Sequence, residues 1–143
     1  MIATFLKTAL ITFLVFITPI KGLIYLISFA VAFDTIFAIY VNIKKKGIKS
    51  FRSTKLFNIV VKSFFYMGSI VFAYFIDSYI FEGKLFDISN LISKIITFVW
   101  VYIEVKSIDE TSMKYGNKSL WVLFKELISK AKDVKNDIKE IKD

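Results

Sequence analysis

Apolar residues run in long blocks along this chain, and short charged clusters separate the blocks. Four blocks stand out, at about residues 2–17, 22–43, 56–81 and 88–105. A helix of about 20 apolar residues, rising 1.5 Å per residue, crosses the ~30 Å hydrocarbon core of a bilayer. The second and third blocks reach that length. The first is short, contains Lys7 and ends at Pro19, the only proline. A brief span, a signal-peptide core and a re-entrant or interfacial segment all fit it. Thr18-Pro19-Ile20-Lys21-Gly22 lacks the small-x-small cleavage pattern, which disfavours the signal peptide. The fourth block holds Lys94, lies between Asp87 and the Glu104/Lys106 pair, and is the least hydrophobic. The pattern predicts an all-α, polytopic membrane protein. It has 3–4 transmembrane helices in residues 1–105 and an amphipathic, coiled-coil-like cytoplasmic helix in the tail, 106–143.

The hinge between the second and third blocks, residues 44–55, holds Lys44, Lys45, Lys46, Lys49, Arg52 and Lys55 and no acid. A short cationic loop between two spans stays on the cytoplasmic side. The opposite turns hold only Lys21 and Lys84 as cations. With four spans, both termini are cytoplasmic. With three, the C-terminus stays inside and the N-terminus lies outside or in the interface.

From Ser119 the pattern changes. Leu120, Phe124, Leu127, Ala131, Val134, Ile138 and Ile141 recur at alternating steps of four and three, an a/d heptad seam. Lys125, Glu126, Lys132, Asp133, Lys139 and Glu140 fill the b and c positions, and Glu126 precedes Lys130 by four. A coiled coil joining copies fits this seam. So does a helix lying on the membrane surface or folded back on its own spans.

Composition sharpens the picture. Hydrophobic residues make up 56% of the 143, above the roughly 45–50% of soluble domains, and they are clustered. The net charge of +8 would suit nucleic acid, but cytoplasmic lysines of a membrane protein account for it, and no nucleic-acid partner is expected. There is no Cys and no His, which removes disulfides, thiolate metal sites and His-based catalysis. No glycine-rich phosphate loop or nucleophile set is present. The expectation is a protein that is not an enzyme and has no cofactor.

Charges inside spans are costly, from about 2.5 kcal/mol upward at a helix centre, so Asp34, Lys62, Asp77 and Lys94 merit attention. Asp34 lies near mid-membrane. It faces a pore or a partner subunit, or it fixes helix packing, with Lys62 or Lys94 as partner. Lys62 and Asp77 lie nearer the interfaces, where a lysine can snorkel. Small residues (Ser28, Ala30, Ala32 and Ala38; Gly68, Ser69 and Ala73) permit close helix approach, without a clean GxxxG. Glu104, Asp109 and Glu110 read as a solvated helix end.

Taken together, Asp34-Thr35-Ile36-Phe37-Ala38, the basic hinge, Tyr74-Phe75-Ile76-Asp77 and the Glu104-Val105-Lys106-Ser107-Ile108-Asp109-Glu110 segment followed by Gly116 resemble the phage lysis holin family (toxin secretion/phage lysis holins). The resemblance covers roughly 26–116 and rests most on Glu104, Ser107, Ile108, Glu110 and Gly116. Ala38, Phe75 and Thr111 stand where the family usually has Gly, Leu and Asn, and the first block is additional to the match. The resemblance implies a phage-encoded protein of the host inner membrane. Such a protein forms a homo-oligomer in the lipid bilayer and opens lesions that release an endolysin. A membrane adaptor acting through the C-terminal helix, and a small ion channel or transporter, are the other classes that the residues admit.

Overall fold

A computed structural model describes residues 1–50, 53–114, 116 and 118–142. Arg52 of the hinge lies outside the described residues, as does the Leu120 side chain of the seam. The chain is almost wholly helical. Helix α1 (Ile2–Phe16) leads through a 3-10 turn (Thr18–Ile20) into α2 (Lys21–Lys46), and a second 3-10 turn (Ile48–Ser50) precedes α3 (Ser53–Tyr79). A two-stranded ribbon, β1 (Lys84–Leu85) with β2 (Ile88–Ser89), joins α3 to α4 (Leu91–Lys114), and α5 (Leu120–Lys142) closes the chain. Pro19 sits at the start of the first 3-10 turn, where its missing N–H is no loss.

Helices α2, α3 and α4 form an up-down-up bundle in which α4 packs along both α2 and α3. Its polarity is inverted relative to a water-soluble protein. Among the described residues, Asp34, Asp77, Glu104, Ser93, Thr97 and Ser112 are buried, while Phe29, Phe33, Phe64, Phe65, Phe72 and Phe98 point outward. Hydrocarbon imposes that arrangement, because exposed apolar side chains are free of penalty there and polar ones must find partners inside. Ile20, Ile27, Val31, Tyr66, Ile70 and Tyr74 form the apolar part of the interior.

Among the described residues, two helical segments are long and apolar enough to cross a membrane, Thr18–Lys46 and Ser53–Tyr79. Helix α1, with 15 residues, reaches only about 22 Å at 1.5 Å per residue. It touches the bundle through Phe16, whose ring lies 4.9 Å from Tyr74 and 5.0 Å from Phe75.

Several boundaries differ from those the hydropathy blocks predict. The basic hinge is shorter than 44–55. Lys44, Lys45 and Lys46 form the last turn of α2, where cations favour the helix dipole, and Lys55 already belongs to α3. Gly47, at φ 79°, ends α2. The fourth helix starts at Leu91 rather than 88 and runs to Lys114 rather than 105. Its extra turns continue because Ile108 and Ser112 keep packing inward. The all-α reading also omits the small β-ribbon. Its Phe86–Asp87 loop has φ of 51° and 60°, the left-handed pair that a two-residue hairpin turn demands. Gly68, read as a contact residue, faces open space.

Candidate functional site

The most distinctive chemistry lies inside the bundle. Asp34 is the fourteenth residue of α2 and Glu104 the fourteenth of α4, so both stand near the middle of their helices. Lys62 approaches from α3. Its Nζ lies 2.7 Å from Glu104 Oε1, donates to Glu104 Oε2 at 2.8 Å, and donates to Asp34 Oδ2 at 3.4 Å. One ammonium thus ties together carboxylates from two other helices. Glu104 is completely buried, and the Asp34 side chain is 10% exposed. Counted from Lys114 and Lys46, Glu104 and Asp34 lie about 15–18 Å from the lysine-rich end at 1.5 Å per residue. In a bilayer that is close to mid-depth.

The surroundings hold the cluster in place. The Tyr66 phenol lies beside the Glu104 carboxylate, and the Tyr66 ring stacks on Trp100 with centroids 4.3 Å apart. Trp100 Nε1 donates to Ser69 Oγ at 2.7 Å, and Lys62 Nζ sits 5.7 Å from the Tyr66 ring centroid. Aromatic faces favour a nearby cation. The register is therefore fixed on three sides by packing as well as by charge.

The cluster is closed toward α4 and open along the α2–α3 seam. A cleft of about 260 Å³ is lined there by Asp34, Thr35, Asn42, Lys55, Asn58 and Lys62, among others. The Lys62 side chain keeps 32% of its exposure at this cleft. Asp34 Oδ1 is buried and has no hydrogen-bond partner among the described residues. Both features are costly in hydrocarbon unless something polar completes them.

Asp77 has a different task. Its Oδ1 accepts from the Ile92 amide at 3.0 Å, and its Oδ2 from the Ser93 amide at 2.8 Å and the Ser93 hydroxyl at 2.6 Å. It caps the N-terminus of α4 from the last turn of α3, satisfying amides that would otherwise be orphaned at the positive end of the dipole. Lys94, three residues into α4, is exposed and takes no part in the cluster. Of the two partners expected for Asp34, the structure supplies Lys62 and not Lys94. Lys62 is accordingly a bridging group and not a snorkelling one.

Glu104 is the larger correction. Grouped by sequence with Asp109 and Glu110 as a solvated end, it is in fact the most deeply buried charge among the described residues. The available signal was periodicity. Ser93, Thr97, Glu104, Ile108 and Ser112 recur at helical spacing and share the buried face of α4, whereas Glu110 is exposed on another. The remaining motif positions are local. Ile108 is buried, the Ser107 carbonyl accepts from Thr111 Oγ1, and Gly116 at φ 81° turns the chain from α4 toward α5.

At the lysine-rich end, Lys45 Nζ donates to the Lys114 carbonyl at 3.0 Å, tying the ends of α2 and α4 together. The seam residues of α5 whose side chains are described, Phe124 to Ile141, are exposed, so α5 is not folded back on the spans.

No curated protein and no solved structure matches the chain. A family model does, over residues 5–133, a wider stretch than the 26–116 of the motif resemblance and one that includes most of α1 and more than half of α5. The inverted bundle, its buried charges and this match agree: the chain belongs to the bacteriophage holin family.

Proposed function

We propose that the chain acts as a holin of the bacterial inner membrane. Copies accumulate, oligomerise and open lesions through which a phage endolysin reaches the peptidoglycan. The observation that carries this reading is the cleft that runs from Asp34 and Lys62 at mid-depth toward Lys55 at the lysine-rich end. A partly exposed Lys62 at the cleft and a buried Asp34 oxygen with no partner among the described residues make the isolated bundle incomplete. A second copy seated on the α2–α3 seam would cover them, and a water-filled lesion would solvate them. The same groups therefore favour assembly first and a wet lumen afterwards.

In this proposal the lysine-rich end carrying Lys44, Lys45, Lys46, Lys49 and Lys55 is cytoplasmic, with Arg52 beside it in sequence, following the bias of cationic loops. If α1 and α4 cross as well as α2 and α3, both termini are cytoplasmic. Asp34, Lys62 and Glu104 govern contacts between helices and between copies.

The test is inducible expression in a bacterium with and without a co-expressed endolysin, following growth and membrane potential. An abrupt collapse after a delay, with lysis only when the endolysin is present, is expected. Steady growth with an intact potential, despite verified insertion, would overturn the proposal. The exposed apolar face of α5 favours a second reading, a membrane adaptor that recruits a partner. Removing residues 119–143 separates the two: an adaptor loses its function, whereas a holin still permeabilises with altered timing.

A further inference from the structure

We infer that α5 lies flat on the anionic leaflet of the same membrane that the bundle spans, rather than pairing with α5 of another copy. This rests on the membrane topology proposed above, and the face of α5 carries the argument. At 100° per residue, Trp121, Phe124, Leu127, Ile128, Val134, Ile138 and Ile141 cover an arc of roughly 160°, and Val122 is the exception, on the opposite side. A two-stranded coiled coil needs only a narrow a/d stripe. The surplus width comes from Trp121 and Ile128, which occupy e positions where a coiled coil places charges.

The charges are sorted in the same sense. Lys125, Lys132 and Lys139 lie along one border of the apolar arc and Lys130 along the other. Lys135 falls within the arc, and its long stem carries the ammonium out to the headgroups. Glu126, Asp133 and Asp137 occupy the far side. Cations at the border reach headgroup phosphates while their stems lie over acyl chains, and acids opposite remain in water. In a parallel pair of α5 helices, by contrast, Lys130 at g would face Lys135 at e of the partner, a like-charge contact.

The elbow delivers α5 to the right level. Lys114 ends α4 beside Lys45 of α2, and only residues 115–119 separate it from α5. Ser112 Oγ donates to the Lys118 carbonyl, Lys118 pairs with Glu126, and Ser119 Oγ accepts from the Val122 amide at the helix start. Trp121 is 63% exposed with Lys125 Nζ 5.2 Å from its ring centroid, and with α5 on the leaflet its ring would lie at the headgroup level where amphipathic rings concentrate.

The chain has no native cysteine, so single-cysteine variants of the full-length protein can carry a fluorophore. Labels on Leu127→Cys, Val134→Cys and Ile138→Cys are compared with labels on Glu126→Cys and Asp133→Cys, in vesicles of phosphatidylcholine with or without phosphatidylglycerol. With phosphatidylglycerol, the first set is quenched by doxyl-labelled lipid and the second by aqueous acrylamide. Each of Lys125→Gln, Lys132→Gln and Lys139→Gln lowers the ratio of membrane-bound to free α5 about fivefold. Equal acrylamide quenching of both sets in both lipids would overturn the inference. So would efficient disulfide cross-linking between copies of the unlabelled Leu127→Cys or Val134→Cys variant, together with shielding of the labelled positions from doxyl lipid, which would assign α5 to a coiled coil. The assay needs no endolysin and no lesion, so a failure of the holin proposal leaves its result readable.

Discussion

At the scale of single residues, the charges inside the bundle divide by partner rather than by type. Lys62 bridges two carboxylates in a site built from three helices, so Lys62→Met leaves Asp34 and Glu104 buried with no cation between them. Breaking a buried ion pair by removing one partner costs about 3–5 kcal/mol. Glu104→Gln leaves an Asp34–Lys62 pair of zero net charge and is expected to cost distinctly less. Thermal unfolding in detergent checks the order: Lys62→Met melts lowest, and a reversed ranking would contradict the bridging role. Asp77→Ala removes the cap of α4 and is expected to cost about 1–2 kcal/mol, while Asp77→Asn, which keeps an acceptor, loses less. For the proposed activity, Asp34→Asn removes the negative partner of Lys62 at the cleft and is expected to shift the time of lysis. Unchanged timing and assembly would remove Asp34 from the mechanism.

Elements were legible in the sequence to the extent that lipid reads them. Hydropathy located α2 and α3 closely, because both expose most of their surface to hydrocarbon. It misplaced both ends of α4, whose inward face is Ser93, Thr97, Glu104 and Ser112 and therefore scores as polar. A block-by-block reading measures the outside of an inverted protein and undercounts an element whose distinguishing residues point in. The same limit hid Glu104, which sits in sequence close to the acids Asp109 and Glu110 but in space beside Lys62 and Tyr66. Asp34 stands out because it interrupts an otherwise apolar run, whereas the sequence leaves its partner open between Lys62 and Lys94, and only the packing of α3 against α2 selects Lys62. The ribbon between α3 and α4 left no hydropathy trace, and its turn makes a separate prediction. Phe86 holds φ 51°, a conformation that disfavours a bulky side chain. Phe86→Asn, the residue preferred there, is expected to stabilise the protein by about 1 kcal/mol, read as a raised melting temperature. No gain would mean that the exposed Phe86 ring compensates by lying in the interface.

For the whole molecule, the lesson is one of incompleteness. Among the described residues, three helices satisfy almost all of their buried polar groups, yet the α2–α3 seam retains a cleft with an ammonium at its edge. A monomer stable for its own sake would fill that space with aliphatic side chains. Filling it by Asn58→Leu together with Thr35→Val is expected to strengthen the isolated bundle and weaken association of copies. Blue-native electrophoresis of the membrane extract would register this as a shift toward smaller species. An unchanged distribution would locate the contact between copies on another face.

The bridge between Asp34, Lys62 and Glu104 also has a consequence for biosynthesis. The three helices leave the ribosome one after another, so α2 must enter the bilayer with an unpaired acid and wait for α3. Once Lys62 arrives the pair is neutral, and α4 then brings a second acid to a cation already engaged. Under the proposed topology, each newly synthesised chain is expected to pass from a less stable insertion to a more stable one once α3 is complete. Residence of α2 in the membrane is then set by the interval of translation between Asp34 and Lys62, a separation of 28 residues.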